Sequence, residues 1–206
     1  MDLPTTSYAV LGMLAVKPWT GYELTQQLRR SLDYCWPKTA SVLYDEQRRL
    51  VRHGLATATD ERAGGRRRTR YAITDEGRAA LRAWLASPPD DPKLELDVML
   101  RLLYADHGTA EDLLRSVSAF RSWAAARYQL GVEMFEGYLD DRGPFPERAH
   151  LNSLFGLFYA ELFDVIDRWT RLVEDEVRSW PSTVGVGMTA EERRRVEEVV
   201  SRARDR

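Results

Sequence analysis

Residues Ala63 to Thr74, AGGRRRTRYAIT, set two glycines and then Arg66, Arg67, Arg68 and Arg70 directly ahead of a Tyr-Ala-Ile-Thr run. A guanidinium keeps its charge at any physiological pH and offers its N–H groups as a planar fork that fits a phosphate. Four of them within five residues are either a solvated charge run or a device for gripping a polyanion. A second basic set lies upstream: Lys38, Ser41, Asp45, Arg48 and Arg52 recur at intervals of three and four, the spacing of one helix face. Other chemistry finds little material. Cys35 is the single cysteine and has no neighbouring histidine, and His53, His107 and His150 are scattered without ligand spacing. No Ser-His-Asp arrangement or paired-carboxylate site stands out, so no catalytic residue, metal or cofactor is expected.

The charge is divided along the chain. Up to residue 86 there are 14 Lys and Arg against 9 Asp and Glu, which leaves 16 against 23 for the remainder of the 206 residues. The first part is basic and favours a polyanionic partner, whereas the acidic second part would repel one and must serve another purpose. The stretch ASPPDDPK, around Pro88 and Pro89, reads as the linker between them. The apolar runs are too short to span a bilayer, and MDLPTTSYAVLGML lacks a basic region before its apolar stretch, so a soluble cytoplasmic protein is expected.

The elements that would carry the basic residues follow from capping and periodicity. Ser7 to Val16 is nearly all apolar and reads as a helix, with Thr5 and Thr6 available as caps and Pro18 as its stop. A second helix follows in TGYELTQQLRRSL, with Tyr22, Leu24, Leu28 and Leu32 on its apolar face and a capping box from Thr20 and Glu23. The third, KTASVLYDEQRRLVRHG, starts at Thr39 or Ser41, ends at Gly54 and buries Val42, Leu43 and Leu50. LATATD and TRYAIT flank the glycine-containing turn ERAGGRRR as a β-hairpin, with Arg66 to Arg68 at its tip and Tyr71 and Ile73 facing inward. Thr74 then caps a fourth helix, DEGRAALRAWLA. Three short helices and a two-stranded ribbon in about 85 residues is the order of a winged helix-turn-helix.

Past the linker the reading is helical: 94–106, 109–139, a break at DDRGPFP, and 147–180, with a charged helix at 189–204 after the loose PSTVGVGM. The expected organisation is a mainly α chain with a winged helix-turn-helix domain at 1–87, a linker at 88–93, a helical domain at 94–181 and a loop with a charged helix at 182–206. Two long amphipathic helices joined by a short break still leave apolar surface, which a second copy of the chain would cover. Leu154, Phe155, Phe158, Leu162, Ile166 and Trp169 are the stripe expected at that homodimer contact. A two-fold dimer would hold its two third helices roughly 34 Å apart, matching an approximately palindromic duplex operator.

The motifs YAVLGMLAVKPWTGYEL, SVLYDEQRRLVRHGL and TRYAITDEGRAALRAWL, in that order, resemble the PadR family of transcriptional regulators. The carrying residues are Tyr44 followed by Leu50, Gly54 and Leu55, then Thr74 with Gly77 at the start of the fourth helix. LDVMLRLLYADHGTAEDLLRSV and LFGLFYAELFDVIDRWTRLVEDEV are similar to the helical C-terminal region of the larger members. Family members often have proline and leucine after the tyrosine, where this chain has Asp45, Glu46 and Gln47, which implies an inner face of the third helix more polar than usual. The resemblance implies a sequence-specific, DNA-binding repressor that releases DNA when a small, often aromatic or amphipathic effector binds. Lys38, Thr39, Ser41, Tyr44 and Arg48 would then meet the major groove and phosphates, Tyr44 a phosphate, with Arg66, Arg67, Arg68 and Arg70 on the wing. Trp123, Tyr128 and Tyr159 are the aromatic residues open to an effector role, against plain core packing. Two other readings are a winged helix that binds protein rather than duplex, and a winged-helix regulator of another family such as the MarR type.

Overall fold

The computed structural model describes residues 3–33, 35–63 and 66–205, with the backbone alone at residues 63 and 66. The chain divides into two units, Met1–Pro92 and Lys93–Arg206.

In the first unit, Pro4 stands extended (φ −65°, ψ 150°) as the residue before α1 (Thr5–Val16) and gives no side-chain cap. Thr5 and Thr6 therefore lie inside the first turn and do not cap it; Thr6 Oγ1 instead accepts a hydrogen bond from the Trp36 indole at 3.2 Å. Lys17 is extended, as the residue before Pro18 must be, and the helix ends there. The Thr20 capping box forms as the sequence implies: the Glu23 amide donates to Thr20 Oγ1 at 3.3 Å, and the Thr20 amide to Glu23 Oε2 at 2.9 Å. It opens α2 (Gly21–Leu32). Thr39 Oγ1 accepts from the Val42 amide at 3.4 Å to open α3 (Ala40–Arg52), and Gly54, at φ +70°, closes it in the left-handed conformation that favours glycine.

The inner faces of α2 and α3 differ from the expectation in one respect each. Tyr22 is 66% exposed, because the buried positions are Gly21, Leu24, Thr25 and Leu28, an i, i+3, i+4, i+7 set from which it is offset by one residue. Val42 is likewise exposed, and the buried set of α3 is Leu43, Glu46, Gln47 and Leu50. Glu46 and Gln47 make the face turned inward more polar than usual, as their place after Tyr44 implies.

The hairpin is longer than the sequence implies. β2 (Ala56–Ala63) and β3 (Arg66–Ile73) pair antiparallel along their full length, Ala56 opposite Ile73 and Ala63 opposite Arg66. Arg66, Arg67 and Arg68 are accordingly strand residues and not a tip, because cross-strand pairs at Glu61–Arg68 and Arg62–Arg67 continue the ladder. Gly64 and Gly65, expected to make the turn, lie outside the described residues. A two-residue strand that periodicity does not reveal, β1 (Trp19–Thr20), pairs with β3 through Trp19–Tyr71 and Thr20–Arg70, giving the order β1-β3-β2. Tyr71 and Ile73 are half-buried.

Thr74 caps α4 (Asp75–Ala86) by accepting from the Gly77 amide at 3.0 Å, and Tyr8 stacks on Trp84 at 4.9 Å between α1 and α4. Gly77 is buried against the hairpin, where an added Cβ would overlap the Leu55 carbonyl and crowd Ile73. Val10, Leu11, Leu14, Leu24, Leu28, Leu43, Leu50 and Leu55 form the core beneath these elements.

The second unit is helical: α5 (Asp97–Leu103), α6 (Ala110–Leu139), α7 (Ala149–Ser179) and α8 (Ala190–Arg204). α5 is shorter than expected because Leu96 is extended and the chain breaks at Tyr104 into a 3₁₀ turn, Ala105–His107. α6 and α7 are about 45 Å long at 1.5 Å per residue. They pack through Val117, Ala124, Phe163, Ile166, Val173 and Val177. Arg121 adds an ion pair at 2.8 Å to Glu174, which is buried on α7. Tyr138 staples the connection between them, donating to the Pro144 carbonyl at 3.0 Å and accepting from Asn152 Nδ2 at 2.7 Å. α8 buries none of its residues and is tied to α7 by Arg195 and Glu176, 2.5 Å apart.

A Gly77→Ala substitution is expected to lower the unfolding free energy by about 1–3 kcal/mol through overpacking. Urea denaturation of the wild type and the variant checks this, and equal midpoints would contradict the close approach of α4 to the Leu55 carbonyl.

Candidate nucleic-acid interface

The orientation of α3 is set from its inner side. Ser7 Oγ, wholly buried on α1, donates to Glu46 Oε2, while Arg49 donates to Glu46 Oε1 at 3.2 Å. Gln47 is also wholly buried; its Nε2 donates to the Gly21 carbonyl at 3.3 Å and to Thr25 Oγ1 at 2.9 Å, both on α2. Its Oε1 has no hydrogen-bond partner among the described residues. Hydrogen bonds of this kind are directional and costly to break in a buried setting, so α3 is held against α1 and α2 in one rotation about its axis.

That rotation turns Ser41, Asp45, Arg48 and Arg52 outward, all exposed, with Tyr44 half-buried and its ring edge beside Gly21. Lys38, just before the helix, places its ammonium 5.2 Å from the centroid of the Trp36 ring, a cation–π distance. Thr39 Oγ1 and Ser41 Oγ share a hydrogen bond at 3.0 Å beside the cap. Arg48 is held by Asp45 at 2.5 Å. Five of the residues expected to meet nucleic acid therefore gather on or just before α3.

The hairpin carries the rest, and its register divides them. Alternation along β3 sends Arg66, Arg68 and Arg70 to one face and Arg67, with Thr69 and Tyr71, to the other. Arg67 pairs with Asp60, whose second oxygen accepts from Thr69 Oγ1 at 3.1 Å. Arg70 Nε donates to Glu61 at 2.7 Å. Arg68 is exposed and forms no ion pair with a described residue; the Arg66 side chain lies outside the described residues. Arg67 and then Thr69 hold the Asp60 carboxyl below the ordinary aspartate range. Glu23 is held below the glutamate range first by the Thr20 amide and hydroxyl and then by the positive field of Arg70 and Arg68.

Three further charged residues lie among these arginines. Arg62, exposed opposite Arg67, adds a cation, and Asp60 and Glu61 place carboxylates among the arginines. Arg62 was legible as one more basic residue beside the turn. The two carboxylates acquire their meaning only from the strand register.

The second unit spreads its expected residues more widely. Leu154, Phe155 and Phe158 are exposed on α7, whereas Ile166 is buried and Leu162 and Trp169 are half-buried against the unit's own core. Trp123 meets Phe163 edge-on at 5.7 Å and lines an open cleft of about 1010 Å³ beside α5 and α6, together with Leu100, Tyr104 and Phe120. Tyr128 is exposed, and Tyr159 packs against Phe158 at 5.1 Å and Phe163 at 6.0 Å; neither lines that cleft.

Three helices, a paired hairpin and a fourth helix, with the outer face of α3 and the hairpin both carrying cations, define a winged helix-turn-helix. Residues 10–83 match the model of the Transcriptional regulator PadR-like family. The probable transcriptional regulator Rv1176c of Mycobacterium tuberculosis is 32% identical over 133 residues, which span 59% of this chain and 69% of that protein. The negative transcriptional regulator PadR of Bacillus subtilis is 28% identical over 98 residues, 47% of this chain and 54% of the relative. Two solved structures of Bacillus subtilis PadR share the fold. The complex with operator DNA has a TM-score of 0.70 at 18% identity, covering 84% of this chain and 99% of that one. The complex with p-coumaric acid has a TM-score of 0.66 at 18% identity, covering 85% and 100%. The chain belongs to the PadR-like family of transcriptional regulators, and the MarR-type alternative falls away. Among the described residues no helix is long and apolar enough to cross a membrane.

The depressed Asp60 titration fixes a pH dependence. The Arg67–Asp60 pair is present above the ordinary aspartate range and disappears as the pH falls through the lower value of the folded state. Carboxyl chemical shifts followed over acidic pH should show Asp60 titrating below an ordinary aspartate and moving upward in Arg67→Ala. An Asp60 midpoint unchanged by that substitution would contradict the pair.

Proposed function

We propose that the protein is a sequence-specific, DNA-binding transcriptional repressor that works as a homodimer and releases its operator when a small aromatic or amphipathic molecule binds. The observation that carries the reading is the pairing of two cation-bearing elements, the outer face of α3 and the hairpin, on the scaffold of a regulator family. The relatives are named as regulators, one a negative regulator, and this supports a repressor without catalytic activity.

In this reading residues 1–87 are the DNA-binding domain. α3 enters the major groove with Lys38, Thr39, Ser41, Tyr44 and Arg48, and the hairpin reaches phosphates or the minor groove with Arg66, Arg67, Arg68 and Arg70. Phosphate contacts give register and affinity, and α3 contacts to base edges give sequence choice. Residues 94–181 dimerise, with exposed Leu154, Phe155 and Phe158 as the surface a second copy would cover. A two-fold dimer then spaces two α3 helices by about one duplex turn, roughly 34 Å, and calls for an approximately palindromic operator. The cleft lined by Trp123 is where the effector reading finds room, and the p-coumaric acid complex of Bacillus subtilis PadR supports a ligand of that class. Release requires that the effector bind the arrangement unable to hold DNA more tightly, by about 1–3 kcal/mol. A repressor of this kind acts in the cytoplasm on chromosomal DNA.

Mobility shifts of labelled duplex across a salt series test the reading. The wild type is expected to bind with an affinity that falls as salt rises. Replacing Arg66, Arg67 and Arg68 by Ala should weaken it and flatten the salt slope by about one for each phosphate that is no longer neutralised. Binding indifferent to salt would instead favour a winged helix that recognises protein. Full affinity in a folded triple variant would remove the hairpin from the DNA-binding surface.

A further inference from the structure

Arginines offered to phosphate are ordinarily left unpaired, yet two of those on β3 are already engaged by carboxylates of the facing strand. Glu61 stands opposite Arg68 and reaches diagonally to Arg70 Nε at 2.7 Å. Asp60 stands opposite Thr69 and reaches diagonally to Arg67, with its second oxygen taken by the Thr69 hydroxyl at 3.1 Å. The strand register dictates both pairings. The pairs are open to water: the Arg67 and Asp60 side chains are 78% and 50% exposed, and those of Arg70 and Glu61 38% and 39%. Exposed ion pairs of this kind are weak and exchange readily.

We infer that Asp60 and Glu61 are specificity-determining residues, carboxylates that occupy Arg67 and Arg70 in place of phosphate and so hold down the affinity of the hairpin for duplex of any sequence. The inference rests on the DNA-binding reading above. To meet a phosphate, each arginine exchanges one anion for another, so the Coulombic gain largely cancels. The displaced carboxylate remains within a few ångströms and repels the incoming phosphate. On a duplex of arbitrary sequence nothing else compensates. On an operator the α3 contacts already fix the register, and the exchange can proceed against a phosphate held in line. Arg68 is different, since Glu61 is given to Arg70, and it is the described β3 arginine that meets phosphate without displacing a partner.

The test uses the full chain and a labelled mixed-sequence 30-base-pair duplex, with fluorescence anisotropy read from about 50 to 300 mM salt, the range over which salt displaces protein from phosphate. Asp60→Asn and Glu61→Gln remove one carboxylate charge each, Asp60→Glu keeps the charge, and Asp164→Asn makes the same change in net charge on an exposed position of α7. Thermal unfolding verifies that each variant is folded. Asp60→Asn and Glu61→Gln are each expected to bind the mixed duplex about five- to tenfold more tightly, with the salt slope steeper by about 0.9. Asp164→Asn should stay at the wild-type value, and Asp60→Glu, which keeps the charge, should gain less than Asp60→Asn. The inference is overturned if Asp60→Asn and Glu61→Gln bind no more tightly than the wild type, or if Asp164→Asn gains as much as they do. A wild type that binds no duplex even at the lowest salt gives a different pattern, and defeats the DNA-binding reading and this inference together.

Discussion

Two polar side chains, Glu46 and Gln47, lie on the inward face of α3, where a leucine would ordinarily pack, and their hydrogen bonds settle how the rest of the first unit is used. An apolar face can slide or rotate against its neighbours at modest cost. A carboxylate tied to Ser7 on α1 and a carboxamide tied to Gly21 and Thr25 on α2 cannot, because rotation would strand buried polar groups. The start of α2 is itself fixed by the Thr20–Glu23 capping box, so the acceptors of Gln47 have settled positions. The outer face of α3 is therefore a fixed display of Ser41, Asp45, Arg48 and Arg52. Gln47 Oε1, without a hydrogen-bond partner among the described residues, is what this arrangement costs.

Electrostatics completes the division of labour. The first part of the chain carries the net positive charge, because acidic residues are fewer there, but that charge is tempered locally: Arg48 by Asp45, Arg67 by Asp60 and Arg70 by Glu61. A surface built for tight binding to any polyanion would omit those carboxylates. Their presence suits a protein that must leave most of the chromosome unbound while it finds one site, since non-specific sites compete by number. The acidic second unit, with its exposed apolar residues on α7, is suited to meeting another protein surface rather than nucleic acid.

Much of this was legible in the sequence, for identifiable reasons. Caps speak locally, and Thr20 with Glu23, Thr39, Gly54 and Thr74 mark their helix ends as their chemistry implies. Helix faces were less certain where one residue in a run decides the phase. Tyr22 and Val42 look apolar enough for a core but sit one position off the buried set, and Glu46 and Gln47 are marked as interior by comparison with the family pattern and not by any propensity of their own. Strand pairing is non-local and was the least visible: the two residues of β1 have no periodicity to show, and the length of the hairpin depends on cross-strand partners. The arginines are plain in the sequence and their carboxylate partners are not, because diagonal pairing across a ladder cannot be read from one strand alone.

In the second unit the stripe expected at a dimer contact divides between exposed Leu154, Phe155 and Phe158 and residues such as Ile166 that close the unit's own core, because 154, 155 and 158 lie off the face on which Gly156, Phe163 and Ile166 are buried against α6. In the function proposed above, the fixed display of α3 provides sequence choice on duplex DNA. Selection of bound duplexes from a random pool at moderate salt measures that choice. The expected result is an approximately palindromic consensus with half-sites about one duplex turn, or roughly 10 base pairs, apart. Recovery of duplexes without any shared sequence would contradict it.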